Sequence, residues 1–193
     1  LYKELNHRVK NNLQMILALI KLQISRTPLS RTKVELEVTK HRINSISTLY
    51  EKLNINNAEH NLSTFEYTQS IVQSFSPNFS KNINVKYDIE YNLNIDSLVH
   101  YGLIINELVT NAMKYAFKKS FLKADNLITI SVKKNENIIA LVIEDNGVGY
   151  QEKRKGSLGL EIVNTLVTKQ LLGSINIQSH NGTKITIEWE EDE

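Results

Sequence analysis

Cysteine is absent from this chain, which excludes disulfide staples, thiolate nucleophiles and zinc–cysteine sites and fits a reducing compartment. No run of about 18 or more apolar residues occurs, so no membrane-spanning helix is expected. The longest oily stretch, Met15 to Ile20, has polar flanks and lacks the layout of a signal peptide. Internal repeats and low-complexity tracts are missing as well, which sets aside solenoids and biased tails. What remains is a chain of 193 residues with a hydrophobic fraction of 41%, ordinary for globular proteins and long enough for one domain or two small ones.

The net charge of +2 conceals an asymmetry. Residues 1–60 hold ten Lys/Arg against five Asp/Glu, and residues 61–193 hold thirteen against sixteen. A basic first segment suits nucleic acid, an acidic protein partner or, most commonly, solvated helix faces. The chain opens on helix-like residues with no start methionine or cap, as expected of a fragment of a longer protein.

Leu5, Val9, Leu13, Ile16, Ile20 and Ile24 recur by threes and fours, the apolar stripe of a long helix. Pro28 breaks it, since proline lacks an amide hydrogen and disfavours helix in the residue before it. A second helical pattern places Leu36, Ile43, Ile46, Tyr50 and Leu53 on one face and fades at Asn54-Ile55-Asn56-Asn57. Such a hairpin cannot cover its own apolar face, whereas two hairpins paired as a four-helix bundle can. From Asn61 the pattern turns mixed. Ser63 or Thr64 caps a helix to about Phe75, and a strand alternates through Val85, Tyr87, Ile89 and Tyr91. A long helix spans roughly Ser97 to Lys118. Strands are expected at Ile128–Val132, Ile139–Ile143, Ile175–Ile177 and Ile185–Trp189, with a helix from about Gly159 to Leu172 stopped by Gly173. A mixed sheet with helices on one face follows.

Four clusters carry chemistry. His7 falls on the outer arc of the first helix with Arg8, Lys10, Asn11 and Gln14, and a neutral imidazole there has a lone pair free to attack phosphorus. A lone surface histidine usually has no role, which is the reading for His41, His60, His100 and His180. Asn11, at i+4 from His7, can orient a water or a phosphoryl oxygen or can simply be solvated. Arg8 and Lys10 can compensate phosphate charge. Glu107 and Asn111 share a helix face, with Lys114 one turn on. An amide oxygen suits a hard cation that keeps its waters and phosphate ligands, and Lys114 can meet a terminal phosphate. Glu107 can polarise a water or hold the hydration shell. The plain alternative is an amphipathic helix with its polar side out. Asp145-Asn146-Gly147-Val148-Gly149 follows an apolar strand. A buried carboxylate there can accept from an adenine amino group while Gly147 and Gly149 let the backbone approach the base, although Asp-Asn-Gly alone is a turn signal. Gly156-Ser157-Leu158-Gly159-Leu160 opens a helix whose amides can receive phosphate oxygens. The intervening segment, Tyr150 to Leu158, is a short lid made basic by Lys153-Arg154-Lys155.

In this order the motifs resemble the transmitter core of a sensor histidine kinase, in the subfamily whose histidine box reads His-Arg-x-Lys-Asn-Asn. The resemblance runs from about Leu5 to Trp189. It implies an α + α/β architecture: a dimerisation and histidine-phosphotransfer hairpin (residues 1–60, a four-helix bundle on dimerisation), then a Bergerat-type α/β sandwich with a mixed sheet that binds ATP (residues 61–193). It implies His7 as phosphoacceptor, Asn111 as the Mg²⁺ ligand of the Asn box of the GHKL ATPase/kinase superfamily, and nucleotide contacts from Lys114, Tyr115, Asp145, Gly147, Gly149, Gly159, Leu160 and Thr183. Thr183, after Gly182, matches the box whose hydroxyl supports the adenine site. Many relatives carry histidine at the position of Tyr115. Many other histidine kinases have an acidic residue after the histidine. Here Arg8 stands there, as in the resembled subfamily, and Glu4 is the nearest carboxylate in sequence. The implied partners are MgATP, a response-regulator receiver domain and a second copy of the chain. A sensor domain is expected upstream. Neither nucleic acid nor membrane is expected in this segment, which would lie in the cytoplasm even if the full-length protein is membrane-anchored. A GHKL-type ATPase, or a nucleotide-binding scaffold without phosphotransfer, is the alternative.

Overall fold

A computed structural model of the chain describes residues 2–28, 30–55, 62–75, 83–117, 126–150 and 158–191, with helix side chains other than those of residues 2–7, 30–31, 34 and 53–55. Two long helices, α1 (Tyr2–Arg26) and α2 (Ser30–Ile55), form the hairpin. Then come α3 (Thr64–Phe75), β1 (Ile83–Ile89), α4 (Ile95–Tyr115), β2 (Asn126–Asn135), β3 (Ile138–Asp145), α5 (Leu158–Thr165) with a π-helical continuation Leu166–Gln170, β4 (Ser174–Ser179) and β5 (Thr183–Glu190). The sheet order is β1-β2-β3-β5-β4, with β1 parallel to β2 and the other pairs antiparallel. It is the mixed sheet that the sequence pattern predicts.

Alternation builds the core. Ile128, Ile130 and Val132 of β2, Ile139, Leu141 and Ile143 of β3, and Ile185, Ile187 and Trp189 of β5 all turn inward. Opposite them α4 buries Leu98, Tyr101, Ile104, Ile105, Leu108 and Val109, and α3 buries Tyr67, Ile71, Val72 and Phe75. Asn94 starts α4 by accepting the Ser97 amide at 2.8 Å. Ser63 does the same for α3, accepting from the Glu66 amide at 3.4 Å. Burial of Tyr67 and Tyr101 holds both phenols above their ordinary pKa, and the Tyr67 hydroxyl donates to the Ser45 carbonyl of α2 at 3.0 Å. Leu49, also from α2, is fully buried in the same core. The hairpin and the sandwich therefore share a packed seam.

Several elements depart from expectation for physical reasons. Val9, Leu13 and Ile20 of the α1 stripe are half-buried and Ile24 is buried, but Ile16 is 43% exposed and Leu17 is covered instead. One neighbouring helix covers only a narrow arc, leaving Met15, Ile16, Leu19 and Leu22 outward. On α2, Leu36, Ile43, Ile46 and Tyr50 are half-buried, while the deepest positions are Ser45, Ser47 and Leu49; Ser45 and Leu49 share the arc on which α3 and α4 press, and Ser47 lies on the opposite side of the helix. Leu53 lies outside the described side chains. α4 spans Ile95–Tyr115 rather than Ser97–Lys118, and Lys118 is outside the described residues. The helix from Leu158 does not end on Gly173. It widens into a π-turn, Leu172 takes the left-handed conformation (φ 52°), and Gly173 is required because a Cβ there would meet the Glu188 carbonyl at 2.3 Å. Tyr91 follows β1 rather than belonging to it. Among the described residues no helix is long and apolar enough to cross a membrane.

Candidate functional site

A cavity of about 1100 Å³ opens where the C-terminal half of α4, the ends of β3 and β5 and the start of α5 converge. It is large enough for a nucleotide. Helical spacing puts Glu107, Asn111 and Lys114 along its α4 wall, with Tyr115 at the rim, 41% exposed. The Asp145↔Thr183 register pairs the end of β3 with the start of β5, so those two residues meet at the floor. Gly149, Gly159 and Leu160 line the far side.

The floor is organised by Asp145, which is 6% exposed. Its Oδ1 accepts the Gly147 amide at 2.9 Å and the Thr183 amide at 3.2 Å. Burial pushes the carboxyl above its ordinary pKa, although the Gly147 and Thr183 donors favour the charged form. Gly182 is indispensable here. Its φ is +133°, and a Cβ would lie 1.8 Å from the Asp145 carbonyl oxygen. Gly149 is also left-handed, φ +82°. Gly147, expected against the base, packs closely on the end of α4. A Cβ there would strike the Ala116 carbonyl at 2.4 Å, and the Val148 amide donates to that same carbonyl at 3.0 Å. Its small size lets the β3 end approach α4.

At the opposite end Glu107 is 5% exposed and held by three donors. Arg42 of α2 reaches it with a two-pronged fork, Nε to Oε1 at 2.7 Å and Nη2 to Oε2 at 2.9 Å, and Asn106 Nδ2 donates to Oε1 at 2.9 Å. α5 closes on the same carboxylate, since a Cβ on Gly159 would lie 2.5 Å from Glu107 Oε2. Glycine at 159 thus lets α5 approach Glu107. Lys114 is held below its ordinary pKa by partial burial, with Glu107 opposing and Arg42 adding to the depression. Asn106 Oδ1 and Thr110 Oγ1 are buried without a partner among the described residues, and both residues line the cavity. Orphaned polar atoms in a cavity wall mark where a polar ligand or water is received.

The remaining candidates lie elsewhere. The backbone of His7 belongs to α1, while its side chain, like that of Glu4, is outside those described. Arg8 and Asn11 are exposed on α1 and do not line the cavity. Lys10 is half-buried, 3.5 Å from Glu51 of α2, to which Gln14 also donates at 3.1 Å. Gly156, Ser157 and the basic lid residues fall outside the described residues. Sequence reasoning missed the wall contributed by α2, including Arg42 and His41. His41 sits edge-on to Phe75, ring centres 5.6 Å apart, with its pKa lowered chiefly by burial and then by Lys40. No local motif announces either residue. The only available signal is that both fall on the basic hairpin.

Comparison with known proteins agrees with this geometry. Residues 4–78 match the histidine kinase family model, and residues 97–193, half of the chain, match the model described as histidine kinase-, DNA gyrase B- and HSP90-like ATPase. The chain belongs to that ATPase family, and the two matches in tandem make it a histidine kinase transmitter core. Sensor histidine kinase PdtaS of Mycolicibacterium smegmatis is 30% identical over 194 residues, covering 96% of this chain and 38% of the relative. Blue-light-activated histidine kinase 2 of Erythrobacter litoralis is 26% identical over 200 residues, covering 96% and 55%. The chain thus spans about two-fifths to just over half the length of these relatives. Among solved structures, the histidine kinase domain of the Erythrobacter litoralis EL346 blue-light activated kinase superposes with a TM-score of 0.71 at 24% identity, covering 97% of this chain and 89% of that one. Acinetobacter baumannii AdeS shares the fold at 15% identity and a TM-score of 0.58, with 95% and 97% covered.

Proposed function

We propose that this chain transfers the γ-phosphoryl group of ATP to a ring nitrogen of His7 and then passes it to an aspartate of a response-regulator receiver domain. The observation that carries this reading is the polarity of the cavity. At one end lies a buried carboxylate, Asp145, braced by two amides. At the other Glu107, Asn111 and Lys114 stand on successive turns of one helix. Asp145 accepts from the adenine amino group, which fixes the base and orients the triphosphate toward α4. Lys114 meets phosphate charge there, and the orphaned Thr110 hydroxyl and Asn106 amide oxygen supply further polar contacts. In the reaction the imidazole lone pair of His7 forms the N–P bond, the bond from the γ-phosphorus to its bridging oxygen breaks, and ADP leaves. The proton on the other ring nitrogen passes to solvent water as charge builds on the ring. Arg8 and Lys10 offset the charge of the phosphorylated product, and Asn11 orients it.

Among the described residues no three carboxylates or histidines cluster to hold a metal on their own. The donor set fits Mg²⁺ arriving with the triphosphate, Asn111 offering its amide oxygen and Glu107 a hydrogen bond to coordinated water. When bound, the ion neutralises phosphate charge. Residues 1–60 serve dimerisation and phosphotransfer and residues 61–193 bind ATP. The use of ATP supports a cytoplasmic setting.

The test is labelling with γ-³²P ATP. Wild type should acquire acid-labile phosphate, His7→Gln should acquire none, and both should bind a non-hydrolysable ATP analogue equally. Phosphate release without labelling of His7 would instead identify an ATPase, and neither activity would leave a nucleotide-binding scaffold.

A further inference from the structure

We propose that Arg42 is a positioning residue that latches Glu107, and with it the nucleotide-binding sandwich, onto the middle of α2 in a resting arrangement that must open before His7 can be phosphorylated. The inference rests on the kinase reading above and extends it to regulation of the same site.

Three observations carry it. First, the bond spans 65 residues of sequence and joins the hairpin to the α4 wall, with both side chains largely covered. A planar guanidinium meeting both carboxylate oxygens is a directional contact that a flexible lysine would not reproduce. Second, the fork occupies both oxygens of Glu107 while Asn106 takes a further position on Oε1. A carboxylate so engaged has its charge compensated and three of its four lone-pair sites taken, leaving one on Oε2, so it is a poorer holder of a coordinated water and a poorer proton acceptor.

Third, the register of the hairpin places the acceptor far away. Glu51 of α2 bonds Lys10 and Gln14 of α1, which fixes the two helices as antiparallel neighbours at that level. Arg42 lies nine residues from Glu51 toward the turn, and residue 7 lies about five residues beyond the Lys10–Gln14 level in the opposite direction. The axial separation is roughly fourteen residues of helix, or about 21 Å at 1.5 Å per residue. A two-fold axis along the bundle leaves axial level unchanged, so the His7 of a partner in a parallel dimer is equally distant. Phosphoryl transfer needs the reacting atoms about 3–3.5 Å apart. With Arg42 closed on Glu107, the nucleotide site faces the wrong stretch of the hairpin.

The full chain provides the test in two arms. Because it has no cysteine, Lys21→Cys on α1 and Glu161→Cys on α5, both exposed, accept spin labels cleanly, diluted with unlabelled chain. Arg42→Gln should lengthen or broaden the dipolar distance distribution. The same substitution without labels should raise the initial rate of His7 phosphorylation several-fold at saturating ATP. Arg42→Lys keeps the charge and stem but loses the fork. It should fall between the two, and it reads the fork alone if Arg42→Gln does not fold. A rate at or below wild type, or an unchanged distance distribution, overturns the latch. Failure of wild type to label His7 would count against the kinase reading, while the distance arm would still judge the latch.

Discussion

The tightest contact in the site is also the most exacting to perturb. At Gly182 an added methyl would sit 1.8 Å from the carbonyl oxygen of Asp145, 2.8 Å from its carbonyl carbon and 3.1 Å from Cα of Asn146, all backbone atoms. Real Cβ contacts essentially never fall under 3.0 Å, so Gly182→Ala must push the β3 end and the β5 start apart by more than 1 Å. The backbone angle adds to this, since φ +133° lies in a region reserved for glycine. Strain of about 1–3 kcal/mol and overpacking of about 1–3 kcal/mol together predict a loss of roughly 2–6 kcal/mol. The displaced group is the one that braces the Asp145 carboxylate through the Thr183 amide, so nucleotide affinity should fall as well. Urea denaturation gives the stability change and calorimetry with an ATP analogue the affinity. Gly149→Ala is the internal standard. Its Cβ would meet first the Ser179 hydroxyl at 2.6 Å, a side chain able to rotate, so its cost should be visibly smaller despite φ +82°. Wild-type midpoint and affinity in Gly182→Ala would refute the reasoning, as would a larger loss at Gly149.

Two further predictions separate binding from folding and from assembly. Asp145→Asn should weaken nucleotide binding yet raise the melting temperature of the nucleotide-free protein at pH 8. Burial raises the Asp145 carboxyl above its ordinary value of 3.8, so the folded state holds that proton more tightly than the unfolded chain. Stability therefore falls as pH climbs from 3.8 through the raised value, and the advantage of asparagine should shrink as the medium is acidified; a lower melting point at pH 8 would contradict this. Ile16→Glu should dissociate the proposed dimer without melting the hairpin. Ile16 lies outward beside Met15, Leu19 and Leu22, where a charge costs a single hairpin little but a paired one much. Light scattering with circular dichroism decides it, and an intact dimer would remove this face from the interface.

Sequence periodicity served well wherever an element buried one continuous face. The strands through Ile130, Leu141 and Ile187 alternate cleanly because the sheet is covered on one side by α3, α4 and α5. It served less well on the hairpin. α1 carries two apolar arcs, one ending at Ile24 against α2 and one through Met15 and Leu19 facing out, and a spacing of threes and fours does not say which arc meets which neighbour. On α2 the deepest side chains include two serines, whose polarity hides their burial from any hydrophobic pattern. Ser45 satisfies itself by donating to the Arg42 carbonyl and receives Tyr67 on its own carbonyl, so the helix buries small polar residues where a larger apolar side chain would hold the sandwich off.

The same logic explains why the cavity floor was legible and the Arg42 wall was not. Asp145, Gly147 and Gly149 are neighbours in sequence, and their chemistry is set by a single turn after β3. Thr183 joins them through one strand pairing. Even there, spacing could not reveal that Gly147 packs against Ala116, where a Cβ would not fit. Arg42 has no local constraint at all. It reads as one more cation on a basic helix until the fold carries α4 across it and sets Glu107 within 2.7 Å. A solvated arginine and a latch are the same letter. What distinguishes them is a carboxylate 65 residues away that burial has stripped of water and that must therefore find its hydrogen bonds in protein. Arg42 meets both oxygens of Glu107, and that fork ties the position of the hairpin to the α4 wall of the pocket.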